Sequence, residues 1–442
     1  MQMTDVIEKL LMKNRTIVSR DDAACMGFLS AHFPLHVHKY ATGNEYQTWP
    51  IPPEWNVRKA LLSDKNGIIG SYDESPLFLA PYSMPFSGQV TRDELVKHVF
   101  SNPAVPDAYC YEFRLAYNFQ RRLKEWRISL PHERLANLPE GPFNVEIDVE
   151  VLPGHMLIGE MAHPGKSGNW FSLLAHYCHV GQANDGIAGV AVMLEAMKRI
   201  QKKHPDPRHG YKALLMPETI GSSVYAATHE EEIDRTLGAV FSEMAGAESP
   251  LQLVYSRRGD TYIDRVFLHV LGNKGKLPCR CIPFRRGWGN DELVFDAPGV
   301  GVPVVSMDRY PFAAYHTHHD NMSLIKPARL EEVVDIITSV VDALEEDYIP
   351  RPRHRVPTYL TRFNLYADWT HERAQYDVNT RLIDSMWSGL SVLDIALSNE
   401  LDPKKVSEYI GGFVREGLVE AVPITAEYTR NTRFLPKAFQ NG

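Results

Sequence analysis

The chain has 442 residues, 44% hydrophobic and 23% charged, with a formal net charge of -8 and a pI near 6.1. That length exceeds one ordinary domain, and the composition is that of a globular protein able to bury real cores. The acidic balance argues against a protein that coats nucleic acid or anionic membrane, and no apolar run reaches transmembrane length.

The N-terminal segment, MQMTDVIEKLLMKNR, lacks an apolar stretch followed by a small-residue cleavage site. Five cysteines (Cys25, Cys110, Cys178, Cys279, Cys281) form no disulfide framework. A reduced, cytoplasmic setting is therefore the expectation. Residues 1–47 read as helical, with Ile7, Leu10 and Leu11 and then Ala24, Phe28 and Leu29 at helical spacing. From Trp49 the texture changes to short β-like pieces broken by Lys65-Asn66-Gly67 and Ser75-Pro76. A helix over 92–100, capped by Thr91, and the alternating strand FNVEIDVEV complete a β-rich unit over 48–153.

Over 154–347 strands and helices alternate. MLIGEMA, WFSLLAH, YKALLMP, LGAVFSEM and VPVVSMD read as strands, with helices after Asp185, after Gly221 and from Leu330 to Glu346. Such alternation predicts an α/β fold, a mainly parallel sheet with helices on both faces. Residues 348–363, rich in Pro and Arg, read as a linker. Residues 364–442 give a short helix, a turn at Asp402-Pro403, a second helix and an exit through Gly417-Leu418 into a strand, the order of a winged helix-turn-helix.

The chemistry gathers where strands meet loops, because carboxyl ends of parallel strands open onto the ligand crevice. After WFSLLAH come His179 and Asp185, six residues apart. Imidazole and carboxylate are ligand types of a catalytic zinc, and equally the partners of a loop-stabilising hydrogen bond. Glu218, in PETIGSS, follows the next strand and suits a general base or a helix cap. Glu243 follows GAVFSEM as a ligand or a carboxylate behind one. Asp291 lies in the Gly-rich RRGWGNDELVF, where it would bind substrate or orient a ligand. AYHTHHDN brings His316, His318, His319 and Asp320 together after VPVVSMD. His, Asp, Glu and His at successive strand exits of one sheet form a constellation that a lone pair would not.

These blocks resemble the zinc exopeptidase superfamily, which includes bacterial aminopeptidases and glutaminyl cyclases. They most resemble an aminopeptidase-like family with an inserted domain of unknown function and a C-terminal winged helix. CHVGQANDGIAG, PETIGS, YSRRGDTYIDR, GNDELVFDAPGVGVPVVSMDR and YHTHHDN carry the resemblance, and WPIPPEW, PLFLAPYSMPFSG and TRDELVKHVF resemble the insert. The resemblance implies zinc ligands at His179, Asp185 and His316, a general base at Glu218, and Glu243 or His176 as an outer or second-metal group. Thr219 stands where a two-zinc relative would carry a second ligand Glu, so one ion is expected rather than two. Val180 replaces a Pro, Ala188 a Ser, and YEFRLAYNFQRR departs from a tryptophan-bearing motif.

The expectation is metal-assisted hydrolysis of an amide or peptide bond in a small peptide or amino-acid conjugate. Arg257 and Arg258 could clamp a substrate carboxylate, or Asp291 or Asp320 hold an α-amino group. Two alternatives stand beside it: deacylation or aminoacyl cyclisation at the same site, and a winged-helix regulator with a vestigial enzyme fold. Residues 381–442 carry seven Lys and Arg against eight Asp and Glu. That lacks the basic stripe DNA binding needs and favours packing or homo-oligomerisation, through this segment or the insert.

Overall fold

The structure, a computed structural model, describes residues 1–112, 125–276, 279–287 and 289–432. Its centre is an eight-stranded mixed sheet. In spatial order the strands are His36–Ala41, His155–His163, Gly210–Met216, Trp170–His176, Thr236–Phe241, Val304–Asp308, Gln252–Val254 and Arg280–Ile282. The four inner strands from Gly210–Met216 to Val304–Asp308 run parallel. Antiparallel strands flank them on both sides. Apart from half-buried Trp170, the residues of the parallel strands are buried, which is why WFSLLAH reads as a continuous apolar run rather than an alternating one.

Helices cover both faces. Met3–Leu11, Ala188–Lys203, Tyr262–Asn273 and Pro327–Glu346 bury their apolar stripes in one core. Ile220–Thr228 packs into a second core on the other face, with Ile17, Tyr40 and Phe295. Helix Tyr262–Asn273, not expected from the sequence, starts at a capping box formed by Thr261 and Asp264.

Helix Ala188–Lys203 lies hard against the sheet edge. A Cβ on Gly189 would stand 2.0 Å from the Ser242 carbonyl oxygen and 2.8 Å from the Glu243 Cα. Both obstacles are backbone and cannot rotate away. Gly189→Ala is therefore expected to destabilise the fold by about 1–3 kcal/mol through overpacking. Urea unfolding measures this, and an unchanged midpoint would show that the helix has room to retreat.

The unit inserted between strands His36–Ala41 and His155–His163 of the large sheet is built on a four-stranded antiparallel sheet. Its spatial order is Gly67–Ser71, Glu54–Asp64, Phe143–Leu152 and Phe86–Val90, with a core of its own around Trp55, Phe78 and Phe143. Thr91 caps helix Arg92–His98 by accepting from the Glu94 N–H. Most of YEFRLAYNFQRR lies outside the described residues.

At the C-terminal end, helices Arg373–Ser385, Val392–Ser398 and Pro403–Arg415 lead to strand Val419–Val422. That strand pairs antiparallel with Ile349–Pro352. The segment read as a linker thus begins as a strand, its two prolines tolerated because a two-stranded sheet is all edge. A buried ion pair fastens this region to the α/β unit: Arg265 Nε lies 2.7 Å and Nη2 2.8 Å from the two Asp394 oxygens, with both side chains fully inaccessible. Tyr428 also donates to Asp394. Removing one member strands the other charge, so Arg265→Leu should cost about 3–5 kcal/mol, and Arg265→Met with Asp394→Leu should recover most of it. Equilibrium denaturation of the three proteins tests this; a single-variant cost below about 1 kcal/mol would refute the pairing argument. Among the described residues no helix is long and apolar enough to cross a membrane.

Candidate metal centre

Register brings the site together. His176 ends its strand level with Met216, and Leu174 lies level with Phe241. Glu218 and Glu243, each two residues beyond its strand, therefore emerge with His176 at one edge. Asp308 ends the next parallel strand at that edge and accepts the N–H groups of Glu243 (2.7 Å) and Met244 (2.9 Å).

The loop from Tyr177 to Ile187 is pinned from three sides. Arg15, wholly buried, donates through Nε to the Tyr177 carbonyl at 2.7 Å and through Nη2 to the His179 carbonyl. Asp320 accepts the N–H groups of Asn184 (2.7 Å) and Asp185 (2.9 Å). Gly246 donates to the Asn184 side chain at 2.7 Å. Gly186 then turns at φ +97°, and a Cβ there would press on the His176 ring and carbonyl at 3.2 Å. Only glycine meets both demands at low cost.

The Asp185 carboxylate becomes the hub. Its Oδ1 lies 3.3 Å from His179 Nδ1 and 3.6 Å from His176 Nε2, and its Oδ2 lies 3.1 Å from His316 Nε2. On the far side of His179, Nε2 is 3.2 Å from Glu218 Oε2. Behind the hub, His176 Nε2 approaches Glu243 Oε2 at 2.6 Å, and Asn290 donates to the other Glu243 oxygen. Donor atoms of His176, His179, Asp185 and Glu243 all fall within 4.8 Å of one another, as do those of Cys178, His179 and Glu218.

Each charge in this cluster acts on its neighbours. Burial opposes the charged form of both imidazoles. The Glu243 charge at His176 and the Asp185 charge at His179 outweigh it, holding both rings well above the usual histidine range. Burial likewise acts to raise Asp185, but His179 and the hydrogen-bonding imidazoles keep its carboxyl well below the ordinary range. Burial, reinforced by the Asp185 charge, pushes Glu243 well up. For Glu218 burial is again the largest effect and raises it, yet the His179 contact and charge win and leave it lowered.

The donor set fits a divalent cation. Both His176 ring nitrogens, His179 Nδ1 and Asp185 Oδ2 are buried without an aligned hydrogen-bond partner, an expensive state unless something else satisfies them. Mixed imidazole and carboxylate donors are what zinc accepts. The inner His176–Glu243 pair is at most 3% exposed, whereas the Glu218 and His316 side chains are 16% and 22% exposed. The open face of the cluster is thus the one bounded by Glu218 and His316.

Of the four residues expected at the substrate, two lie at the opposite edge of the sheet and two lie behind the cluster. Gln252–Val254 runs antiparallel to Val304–Asp308, so the chain after Val254 leaves by the opposite sheet edge. There Arg257 bonds the Asp296 carbonyl through Nε at 2.8 Å, and Arg258 reaches the Arg430 carbonyl. Neither can clamp a substrate at the cluster. Asp291 is fully buried, taking the Thr219 N–H (2.9 Å) and Ser222 hydroxyl (2.6 Å) and standing 3.6 Å from His176 Nδ1. Asp320 is fully buried beneath the Asp185 loop. Both carboxylates set the site from behind and touch no open space. Sequence reasoning missed Arg15, Asp308, Asn290 and Tyr111. Asp308 alone carried a signal, a carboxylate closing the buried strand VPVVSMD.

Residues 4–347 match the family described as a domain of unknown function (DUF4910). A Clostridium acetobutylicum protein, described as a candidate polysaccharide biosynthesis protein with an aminopeptidase-like domain, is 26% identical over 349 residues, 78% of each chain. A solved structure of a candidate peptidase from the same organism superposes with a TM-score of 0.79 at 23% identity, covering 95% of this chain and 96% of that one. A zinc aminopeptidase from Bacillus subtilis superposes with a TM-score of 0.55 at 15% identity, covering 77% of this chain and 94% of that one. The structural likenesses establish a shared fold.

Proposed function

We propose a function on one premise: the chain belongs to the family described as a domain of unknown function (DUF4910). The reading is a metal-dependent hydrolase of an amide or peptide bond, acting on a small peptide or amino-acid conjugate. The observation that carries it is the Asp185 carboxylate set between His179 and His316, with Glu218 at 3.2 Å from His179 on the open face. The descriptions of the related proteins, an aminopeptidase-like domain and a zinc aminopeptidase, support the same chemistry.

His179, Asp185 and His316 would hold one zinc ion, with the His176–Glu243 pair buried behind them. Such an ion, when bound, polarises a carbonyl and lowers the pKa of water from about 15.7 to about 7. Glu218 Oε2 receives the proton of the attacking water and delivers it to the leaving amine. His179 steadies Glu218 through Nε2, and Asp320 and Arg15 keep the loop from drifting. Thr219, in place of a second carboxylate, has a side chain that cannot act as a charged ligand, which favours one ion over two.

A second reading keeps these roles and changes the substrate to an acylated sugar or aminoacyl conjugate. It is favoured by the polysaccharide biosynthesis description of the Clostridium relative. Zinc-loaded protein assayed against aminoacyl-nitroanilides, dipeptides and N-acetylated amino sugars separates the two. Turnover of free-amine substrates alone supports the first reading; turnover of acylated sugars alone supports the second. Protein that takes up zinc and cleaves none of the three classes would overturn both.

A further inference from the structure

The unit inserted over 48–153 does more than decorate the sheet. Its stretch from Tyr109 to Tyr111 lies antiparallel to His316–His318, with Cys110 bridged to Thr317. The Tyr111 N–H donates to the His316 carbonyl at 2.8 Å, and the His318 N–H donates to the Tyr109 carbonyl at 3.0 Å. The Tyr109 N–H also donates to His318 Nδ1 at 3.1 Å. The insert's own core anchors this stretch: Cys110 N–H donates to the Ser129 hydroxyl at 2.7 Å, and the Tyr109 hydroxyl to Glu74 at 2.7 Å. The ladder grips the one residue of its loop that needs gripping, since His316 sits at φ +56°, a conformation that side chains other than glycine seldom hold unaided.

The same stretch carries a ring into the cluster. Tyr111 meets His179 edge-on, with centroids 4.9 Å apart at 88°, and meets His316 at 5.3 Å and 75°. His316 also stacks on Tyr315 at 3.9 Å and 17°. An edge-to-face contact fixes ring orientation as well as distance, and orienting a ligand imidazole is what tunes a metal site.

From these contacts we infer that Tyr111 is a positioning residue: the inserted unit completes the metal centre by packing this ring against both His179 and His316, whose own ring centroids lie 5.7 Å apart. The inference rests on the proposed assignment of those two histidines as ligands. Because the contact is made by the π face and edge of the ring, the phenyl ring of Phe should serve and an aliphatic side chain should not. The insert is then a working part of the site, and the cluster without it would lack the orientation of two of its three proposed ligands.

The test is zinc affinity, measured by competition with a chromophoric chelator, for full-length wild type, Tyr111→Phe and Tyr111→Ala. Melting curves of the metal-free proteins run alongside. Tyr111→Ala is expected to lose about 10–100-fold in zinc affinity, and Tyr111→Phe to stay within about threefold of wild type. Should Tyr111→Ala fail to give a cooperative melt, Tyr111→Leu, which keeps bulk without a π face, takes its place with the same expectation. Equal affinity in wild type and the folded Ala or Leu variant would overturn the inference. So would a Phe variant as weak as Ala, since that would assign the effect to the hydroxyl. Wild type that binds no zinc would instead sink the assignment of the ligands, a result distinct from either.

Discussion

Glu218→Gln is expected to keep its fold and its zinc while losing about 10²–10⁴-fold in amide hydrolysis, the range a general base contributes. The substitution is nearly isosteric, so the 3.2 Å approach to His179 Nε2 and the Glu218 N–H contact to Cys178 Sγ at 3.3 Å can both survive. What is lost is the ability to take a proton and return it. The 16% exposure of Glu218 on the open face puts the carboxylate where water can reach it, unlike the sealed Glu243. Parallel measurement of zinc content and kcat separates the outcomes. Loss of activity with full zinc assigns the base; loss of both would make Glu218 a ligand; unchanged activity would remove it from the mechanism.

Asp185→Asn should go further and abolish zinc retention along with activity. The Asp185 carboxylate lies within 3.1–3.6 Å of all three of His176, His179 and His316. An amide of the same shape keeps the Asp320 contacts, which go to backbone N–H groups, so the loop should hold. Its loss of charge leaves three imidazoles with no central anion, a poor cradle for a dication. Zinc bound at 100 times its Kd would add about 2.7 kcal/mol to stability. Wild type should therefore melt higher with zinc than without, and Asp185→Asn should not. A variant that still gains stability from zinc would place the ion elsewhere.

Much of this site could be read before any coordinates. WFSLLAH betrays a buried parallel strand because helices cover both faces of its sheet, and a loop leaving the carboxyl end of such a strand emerges at the crevice edge. His179, Asp185, Glu218 and His316 follow from that rule together with the resemblance. What the sequence concealed was direction. Adjacent arginines at 257 and 258 look like a clamp, but a three-residue antiparallel strand, too short to recognise, sends them to the far edge. Asp291 and Asp320 are close to the site in sequence and in space. Whether a carboxylate faces a cavity or the backbone N–H groups of the next loop depends on packing that no local pattern encodes. Arg15 and Tyr111 come from distant segments, and only the tertiary fold brings them to His179.

The position of the ion decides the ligand assignment. Anomalous diffraction at the zinc edge from crystals of the zinc-loaded protein should show one peak per chain within coordination distance, about 2.0–2.2 Å, of His179, Asp185 and His316. A peak lodged instead between His176 and Glu243, or none anywhere in the cluster, would contradict it.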